Sequence, residues 1–247
     1  MIYVTIPVHN EERAIGVVLW KIRRVMEEFG RDFRILVLDD ASTDGTPDVL
    51  VRYAPFLPLQ VITVDHRIGR AAALDRLFRE VVEETDYPKR DVVVTLDGDF
   101  SDDPTDLVGV VKSIEGGADI VVGTVEAPAA RTLGERIVGW LRRTLLGPAL
   151  TEAPVADPLG GFRAFRVVVL RKALREGGKA PLATHEGAAG NLELLGRLAT
   201  HARRIDEVPV THRPEWKPQD SRIEVLGSLR ALRSVGSAVR WPRTATP

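Results

Sequence analysis

The chain of 247 residues is 44% hydrophobic and 28% charged, a composition typical of a globular protein with one large α/β domain. Its formal net charge of −1 gives no reason to expect a nucleic-acid partner. The sequence contains no cysteine, which excludes disulfides, thiolate metal sites and cysteine nucleophiles and fits a cytoplasmic location.

The N-terminal segment IYVTIPV, from Ile2, is predicted to be a buried strand rather than part of a signal peptide. It has neither a basic region ahead of it nor a small-residue cleavage site after it. No apolar run approaches the ~18 residues that indicate a membrane span. We therefore expect a cytoplasmic protein that at most sits on the cytoplasmic face of a membrane.

Short β-branched runs alternate with amphipathic stretches along the first half of the chain. Further strands are predicted from Arg34, Leu59, Asp91 and Asp119, and helices at residues 11–29, 47–53, 69–84 and 104–114. Strands that are apolar on both faces and separated by helices are typical of a parallel sheet covered on both sides. The predicted fold class is therefore α/β, a Rossmann-like, mostly parallel sheet flanked by helices.

Two helix starts carry capping signals. Thr46 and Asp103 each precede a proline, so their side chains are predicted to be N-caps with proline in the first helical position. The regular alternation stops near Gly123. We expect one domain over residues 1–220, with a regular half (1–123) and a more irregular half (124–220), followed by an amphipathic helix and tail (221–247).

Acidic residues follow the predicted strands. In TLDGDFSDDP, Asp97 and Asp99 lie two positions apart at a strand end, so their carboxylates are predicted to share a face. Such oxygen ligands suit one hard divalent cation that keeps substrate phosphate as a further ligand. Gly98 between them lets a ligand approach the backbone. Capping explains Asp103 but not this pair, which we interpret as part of a metal or nucleotide site.

Asp39 ends the second predicted strand and belongs to the same edge, because ligands bind beyond the carboxyl ends of parallel strands. Its carboxylate is expected to accept hydrogen bonds from a base or a ribose, whereas Asp44-Gly45 is interpreted as a turn. The chain has neither GxGxxG nor GxxxxGK[ST], so a dinucleotide-dependent oxidoreductase and a P-loop NTPase both lose their main sequence support.

The motifs IPVHNEE, VLDDASTDGT and TLDGDFSDDP, in this order, resemble those of family-2 glycosyltransferases of the GT-A fold, and within them the dolichyl-phosphate mannose synthase branch. DPLGGFRAFR, from Asp157, and IDEVPVTHRP, from Ile205, resemble later segments of that branch. The resemblance implies metal-dependent, inverting transfer of a hexose from a GDP- or UDP-sugar to a polyprenyl phosphate, with Mg²⁺ or Mn²⁺ as cofactor.

The resemblance also implies the site residues, with the donor in the regular half and the acceptor in the other. Residues implied to hold the nucleotide sugar are Pro7, His9, Glu11, Asp39, Asp97, Gly98 and Asp99, the metal being held by Asp97 and Asp99. Those implied to neutralise phosphate are Arg131, Arg163 and Arg222. Glu186 is the candidate general base, which a hydroxyl acceptor needs and an ionised phosphate does not. For Glu193, the other candidate, an exposed helical face is the favoured interpretation.

Several positions depart from the branch's usual pattern. His9 and Ser101 stand where Tyr and Gln are common, Gly160 replaces a serine, and Arg222 aligns only with an offset. Most departures fall in the acceptor half, which leaves two alternatives open. One is a GT-A enzyme acting on a small soluble acceptor, and the other is a non-catalytic sugar-nucleotide-binding subunit that needs a membrane partner.

Residues 222–240 are predicted to form an amphipathic helix. Its apolar face consists of Val225, Leu229, Leu232, Val235 and Val239, and its basic flank of Arg222, Arg230, Arg233 and Arg240. A basic flank beside an apolar face favours an interfacial helix on an anionic membrane surface over packing on the sheet. The expected partners are thus a membrane surface or small membrane subunit, besides donor and acceptor.

Overall fold

The computed structural model describes residues 1–125, 152–211, 225–239 and 241. Its strands are β1 (Ile2–Val8), β2 (Phe33–Asp39), β3 (Leu59–Thr63), β4 (Val92–Thr95), β5 (Ile120–Val125), β6 (Arg163–Arg166) and β7 (Ile205–Val210). Its helices are α1 (Ile15–Phe29), α2 (Thr46–Tyr53), α3 (Arg70–Glu84), α4 (Leu107–Glu115), α5 (Val167–Gly177), α6 (Gly187–Ala199) and α7 (Val225–Ala238). Short 3-10 turns at Ala54–Phe56 and Pro104–Asp106 precede β3 and α4.

The strands form one sheet in the order β3-β2-β1-β4-β6-β5-β7. The pairs β1–β2, β2–β3, β1–β4 and β5–β7 are parallel, whereas β6 runs antiparallel to β4 and β5. The predicted α/β class with a mostly parallel sheet is confirmed. Strand β6 was not predicted, and its insertion between β4 and β5 carries the sheet through both predicted halves of the chain.

Alternating side chains of the strands fill the two faces of the sheet. Val4 and Ile6 of β1 pack in one cluster with Leu19 of α1. Leu36 of β2 packs in the cluster on the other face, with Phe78 of α3. Burial on both faces explains why the strands are continuous apolar runs in the sequence.

One of the two predicted caps is correct. The Asp103 Oδ1 accepts a hydrogen bond from the backbone N–H of Thr105 at 3.0 Å, which confirms that cap. The prediction for Thr46 is wrong, because its hydroxyl accepts from the Glu11 N–H at 2.8 Å. The N-cap of α2 is Gly45, and Asp44 before it accepts from the Thr46 N–H at 2.9 Å.

Helix α7 packs on α6 rather than presenting its apolar face to solvent. Leu232 and Val235 are 8% and 3% exposed and lie in one cluster with Leu192 of α6. The prediction of a free interfacial face is therefore wrong for this part of the helix, because α6 already covers it. Arg233 is exposed, whereas the side chains of Val225, Leu229, Arg222, Arg230 and Arg240 lie outside the described residues. Within the described ranges, no helix is long and apolar enough to cross a membrane.

Candidate active site

A cavity of about 250 Å³ opens at the carboxyl ends of β1, β2 and β4. This is the edge at which open parallel sheets bind ligands. Predicted site residues that line it are Pro7, His9, Glu11, Asp97, Gly98 and Asp99. The cavity is also lined by residues for which no role was predicted: Val8, Asp40, Arg67 and Arg70.

The loops around the cavity hold unusual backbone conformations. In the described part of the chain, the non-glycine residues with positive φ are Asn10 (57°), Ala41 (54°) and Phe100 (62°). They lie in the loops that follow β1, β2 and β4. Such conformations cost about 1–3 kcal/mol each and cluster at functional sites, where surrounding contacts maintain them. Here the Asn10 Oδ1 accepts from the Thr43 N–H at 2.8 Å and ties two of these loops together.

Arg70, the first residue of α3, neutralises the first carboxylate of the pair. Its Nε donates to Oδ1 of Asp97 at 2.9 Å, and its Nη2 lies 2.7 Å from the same oxygen in an ion pair. Its Nη1 donates to Oδ1 of Asn191 on α6 at 2.9 Å. Burial alone would lower the pKa of Arg70, but the Asp97 carboxylate outweighs it and raises this pKa above its ordinary value. Arg70 is therefore a cation throughout the physiological pH range.

Asp99 and Asp103 of the motif have separate partners, which helps to explain how the strand end tolerates so much negative charge. Asp99 accepts from the Ser101 N–H at 2.9 Å. Asp103 forms a 2.8 Å ion pair with Lys21 of α1. Burial would raise the pKa of Asp103, but the hydrogen bonds from Lys21 and Thr105 outweigh it and hold this pKa below its usual value.

The donor atoms of the cavity fit a hard divalent cation that arrives with a diphosphate. Asp97 and Asp99 both line the cavity. Among the described residues, no group of three or more His, Cys, Asp or Glu side chains could enclose a metal alone. Magnesium commonly binds in this way, through one or two carboxylates with substrate phosphates as further ligands. The residues present therefore suit Mg²⁺ or Mn²⁺ bound together with a nucleotide.

Packing gives Gly98 a reason for its identity in addition to the predicted approach of a ligand, which stays a prediction. A Cβ built on it would lie 2.6 Å from Cγ1 of Val8 on the neighbouring β1. A side chain at this position would clash with the strand, so packing requires the glycine as much as ligand approach does.

The two aspartates that end β2 differ in position. Asp39 is 1% exposed and accepts from the Ser42 N–H at 3.1 Å, and it does not line the cavity. Its role toward a base or ribose remains a prediction. Asp40 lines the cavity and accepts from the N–H groups of Ile68 and Gly69 at 2.6 and 2.9 Å. It thereby holds the loop that brings Arg70 to the site.

His9 is oriented by the same segment. Its Nδ1 lies 2.7 Å from the backbone carbonyl oxygen of Asp40, so this nitrogen carries the proton and donates. The ring is thus fixed at the cavity wall, where the resemblance places the nucleotide.

Glu186 caps helix α3. Its carboxylate oxygens accept from the N–H groups of Arg70 and Ala71 at 3.0 and 3.2 Å. Negative charge is favourable at a helix N-terminus, where backbone donors lack partners. The structure therefore brings Glu186 next to Arg70 at the edge of the site, with both carboxylate oxygens engaged.

Glu193 is not on an exposed face, so that interpretation is wrong. Its side chain is 18% exposed and accepts from the Thr184 N–H at 2.8 Å and from His185 Nδ1 at 3.0 Å. Burial would raise the pKa of Glu193, but the hydrogen bonds from Thr184 and His185 outweigh it and lower this pKa. It holds the loop ahead of α6.

Arg163 does not reach the cavity, so we correct its assignment as a phosphate ligand. It is 1% exposed and donates to the carbonyl oxygens of Asn191 and Pro158 at 2.6 and 2.7 Å. The pKa of Arg163 is lowered to about 9, mainly by burial and next by the nearby positive charge of Arg70. Arg163 thus fixes the backbone of Asn191 and Pro158. The other predicted phosphate ligands, Arg131 and Arg222, lie outside the described residues.

Comparison with known proteins decides the family. The sequence profile described as Glycosyl transferase family 2 matches residues 3–174 of this chain. The chain belongs to glycosyl transferase family 2. The resemblance carried by its strand-end motifs is thereby confirmed, and this cavity lies within the matched part of the family-2 chain.

Curated relatives of this family-2 chain carry names of polyprenyl-phosphate sugar transferases. The undecaprenyl-phosphate 4-deoxy-4-formamido-L-arabinose transferase of Edwardsiella ictaluri is 26% identical over 215 residues, which cover 85% of this chain and 59% of the relative. Its counterpart from Salmonella paratyphi B is also 26% identical and is covered to 58%. The chain therefore spans less than two thirds of the length of these relatives.

Solved structures show the same fold. Glucosyl-3-phosphoglycerate synthase from Mycobacterium tuberculosis, in complex with Mn²⁺, UDP-glucose and phosphoglyceric acid, superposes with a TM-score of 0.66 at 22% identity, covering 97% of this chain and 80% of that one. The same enzyme with Mg²⁺ and UDP gives a TM-score of 0.63 at 22% identity, covering 99% and 81%. At this identity the likeness shows the fold alone, and it confirms the predicted GT-A fold.

The sequence signals that could identify Arg70 and Asn191 as residues of the site differ. Arg70 lies in DHRIGR, directly after a predicted strand, so its charge near an acidic strand end was a usable signal. Asn191 lies in an ordinary helical stretch, 121 positions from its partner Arg70, and had no such signal.

Proposed function

We propose that this family-2 chain transfers a hexose from a GDP- or UDP-sugar to a polyprenyl phosphate. The observation that carries the proposal is the cavity at the carboxyl edge of the sheet. It presents Asp97 and Asp99 beside the basic residues Arg67 and Arg70. This arrangement offers both oxygen ligands for a cation and positive charge for a diphosphate.

The chain's own residues bind and orient the donor. Asp97 and Asp99 would hold Mg²⁺ or Mn²⁺, which supplies electrostatic stabilisation to the diphosphate as it leaves. Arg67 faces the same cavity and adds positive charge. His9 contacts the nucleoside at the cavity wall, and buried Asp39 orders the loop after β2 by accepting from the Ser42 N–H. An acceptor oxygen forms a bond to the anomeric carbon while the bond to the diphosphate breaks, and the nucleoside diphosphate leaves with the electron pair.

A phosphate acceptor agrees with the state of Glu186. An ionised phosphate oxygen needs no general base, and both oxygens of Glu186 are engaged by the α3 backbone. The names of the curated relatives support the same acceptor class. We further propose that the chain meets its lipid acceptor at a membrane surface or through a membrane subunit. Because α6 covers apolar residues of α7, attachment to a surface would depend mainly on basic residues.

The test is a thermal-shift panel of GDP- and UDP-sugars with and without Mn²⁺, on the wild type and Asp99→Asn. A donor at about 100 times its dissociation constant stabilises the native state by about 2.7 kcal/mol. We expect that shift for at least one nucleotide sugar with Mn²⁺, and its loss on chelation and in Asp99→Asn. A panel in which no nucleotide sugar shifts the wild type would contradict the proposal.

A further inference from the structure

Asn191, near the start of α6, contacts the side chain that neutralises the donor site. Its Oδ1 accepts from Nη1 of Arg70 at 2.9 Å. Nε of the same guanidinium donates to Oδ1 of Asp97 at 2.9 Å, and Nη2 lies 2.7 Å from that oxygen in an ion pair. The guanidinium is thus held by a carboxylate at one edge and by an amide at the other.

The amide of Asn191 is itself fixed in one orientation. Its Nδ2 donates to the carbonyl oxygen of Leu159 at 2.9 Å. A flipped amide would turn a donor toward the donor Nη1 of Arg70 and an oxygen toward the oxygen of Leu159, which is unfavourable at both ends. The backbone of the same residue is anchored too, because its carbonyl accepts from Nη1 of buried Arg163 at 2.6 Å.

We propose that Asn191 is a positioning residue of the donor site, which acts by orienting Arg70 and, through it, Asp97. This inference rests on the proposed function, which places Asp97 in the donor site. Arginine has a long, flexible side chain, so loss of one anchor lets its guanidinium and the attached carboxylate sample other positions. Groups that orient metal or phosphate ligands in this way typically change affinity or activity by about 10–100-fold when they are removed.

A purely structural role makes a different prediction, because Asn191 also holds Leu159. In that case its removal would perturb the loop before β6 whether or not Arg70 were present. A matched control exists at the same junction of α3 with the second half of the chain. Oδ1 of Asp75 on α3 accepts from the Leu182 N–H at 2.9 Å, and in the described structure Asp75 forms an ion pair with Arg79 rather than with Arg70.

The decisive experiment is a double-mutant cycle read by calorimetric titration of UDP and of GDP with Mn²⁺. We expect Asn191→Ala to weaken binding about 10-fold in the wild-type background and to have no further effect in an Arg70→Ala background. We expect the control Asp75→Ala to lower Tm without changing the dissociation constant. Equal weakening by Asn191→Ala in both backgrounds, or none in the wild type, would overturn the inference.

A second variant separates the two contacts of the amide. Asn191→Asp keeps an oxygen that accepts from Arg70 but loses the donor to Leu159. We expect its dissociation constant to stay within about threefold of the wild type, because a charge-assisted hydrogen bond is retained. A loss as large as that of Asn191→Ala would assign the effect to Leu159 and overturn the inference. A wild type that binds neither UDP nor GDP would instead refute the proposed function, and the inference with it.

Discussion

At the residue scale, the acidic strand end is stabilised because three of its four carboxylates have partners of different kinds. Asp97 is bound by Arg70, Asp103 by Lys21, and Asp99 by a backbone N–H. Unit charges about 4 Å apart interact by about 4 kcal/mol at an effective dielectric constant near 20, so such pairing offsets the repulsion within the motif.

Glu186 gives the first prediction. Glu186→Gln retains one oxygen for the α3 backbone and loses the charge, so we expect a loss of about 1 kcal/mol of stability in urea unfolding. Transfer to a lipid phosphate should stay within a few fold of the wild type, because that acceptor needs no base. Loss of transfer with the fold intact would instead make Glu186 the general base of an enzyme with a hydroxyl acceptor.

Asp103 gives a pH-dependent prediction. Its pKa is lowered in the folded state, so the stability it contributes is complete above the unfolded pKa of about 3.9 and is lost as pH falls through the folded pKa. Asp103→Asn keeps the cap and removes the charge facing Lys21. We expect it to cost about 1 kcal/mol at pH 7 and progressively less below about pH 4.

The measurement is urea unfolding of the wild type and of Asp103→Asn across pH 3–7. Exposed Asp32, in the loop between α1 and β2, offers a matched control, and Asp32→Asn should change stability little at any of these pH values. A cost for Asp103→Asn that did not change with pH would show that the Lys21 ion pair is not its source.

At the scale of elements, α6 joins the second half of the chain to the site and also seats α7. A Cβ built on Gly196 of α6 would lie 2.7 Å from Cγ1 of Val239, the residue that follows α7, so the chain approaches α6 closely there. The sequence predicted the amphipathic pattern of α7 but not what covers it. A pattern of apolar positions shows that a face is buried, and the partner of that face depends on the tertiary arrangement.

Gly196→Val therefore gives an element-scale prediction. The added side chain should force α7 away from α6 and cost about 1–3 kcal/mol, as overpacking does. Trypsin should then cleave at exposed Arg233 faster than in the wild type. Gly177→Ala is the matched control, because a Cβ at Gly177 meets nothing within 4 Å. Equal cleavage rates in wild type and Gly196→Val would contradict this packing.

At the scale of the whole molecule, the local signals predicted most of the sheet and part of the site. The apolar runs predicted β1 to β5, and the polar residues after β1 and β4 predicted much of the cavity lining. Strand β6 has only four residues, and the sequence motif in this segment was interpreted for function rather than for secondary structure. No local sequence pattern indicates that β6 inserts antiparallel between β4 and β5. The resemblance implies a phosphate role for Arg163, but a motif match does not show which way a side chain points, and this one is buried.

We propose that sugar transfer takes place in the cavity that contains Asp97 and Asp99. The most direct measurement is sugar transfer from the nucleotide sugar that stabilises the protein to undecaprenyl phosphate, for the wild type and Asp99→Asn. We expect a lipid-phosphate sugar with the wild type, no product after chelation, and at least about a 100-fold loss in Asp99→Asn at unchanged Tm. Unchanged transfer by Asp99→Asn would contradict the account.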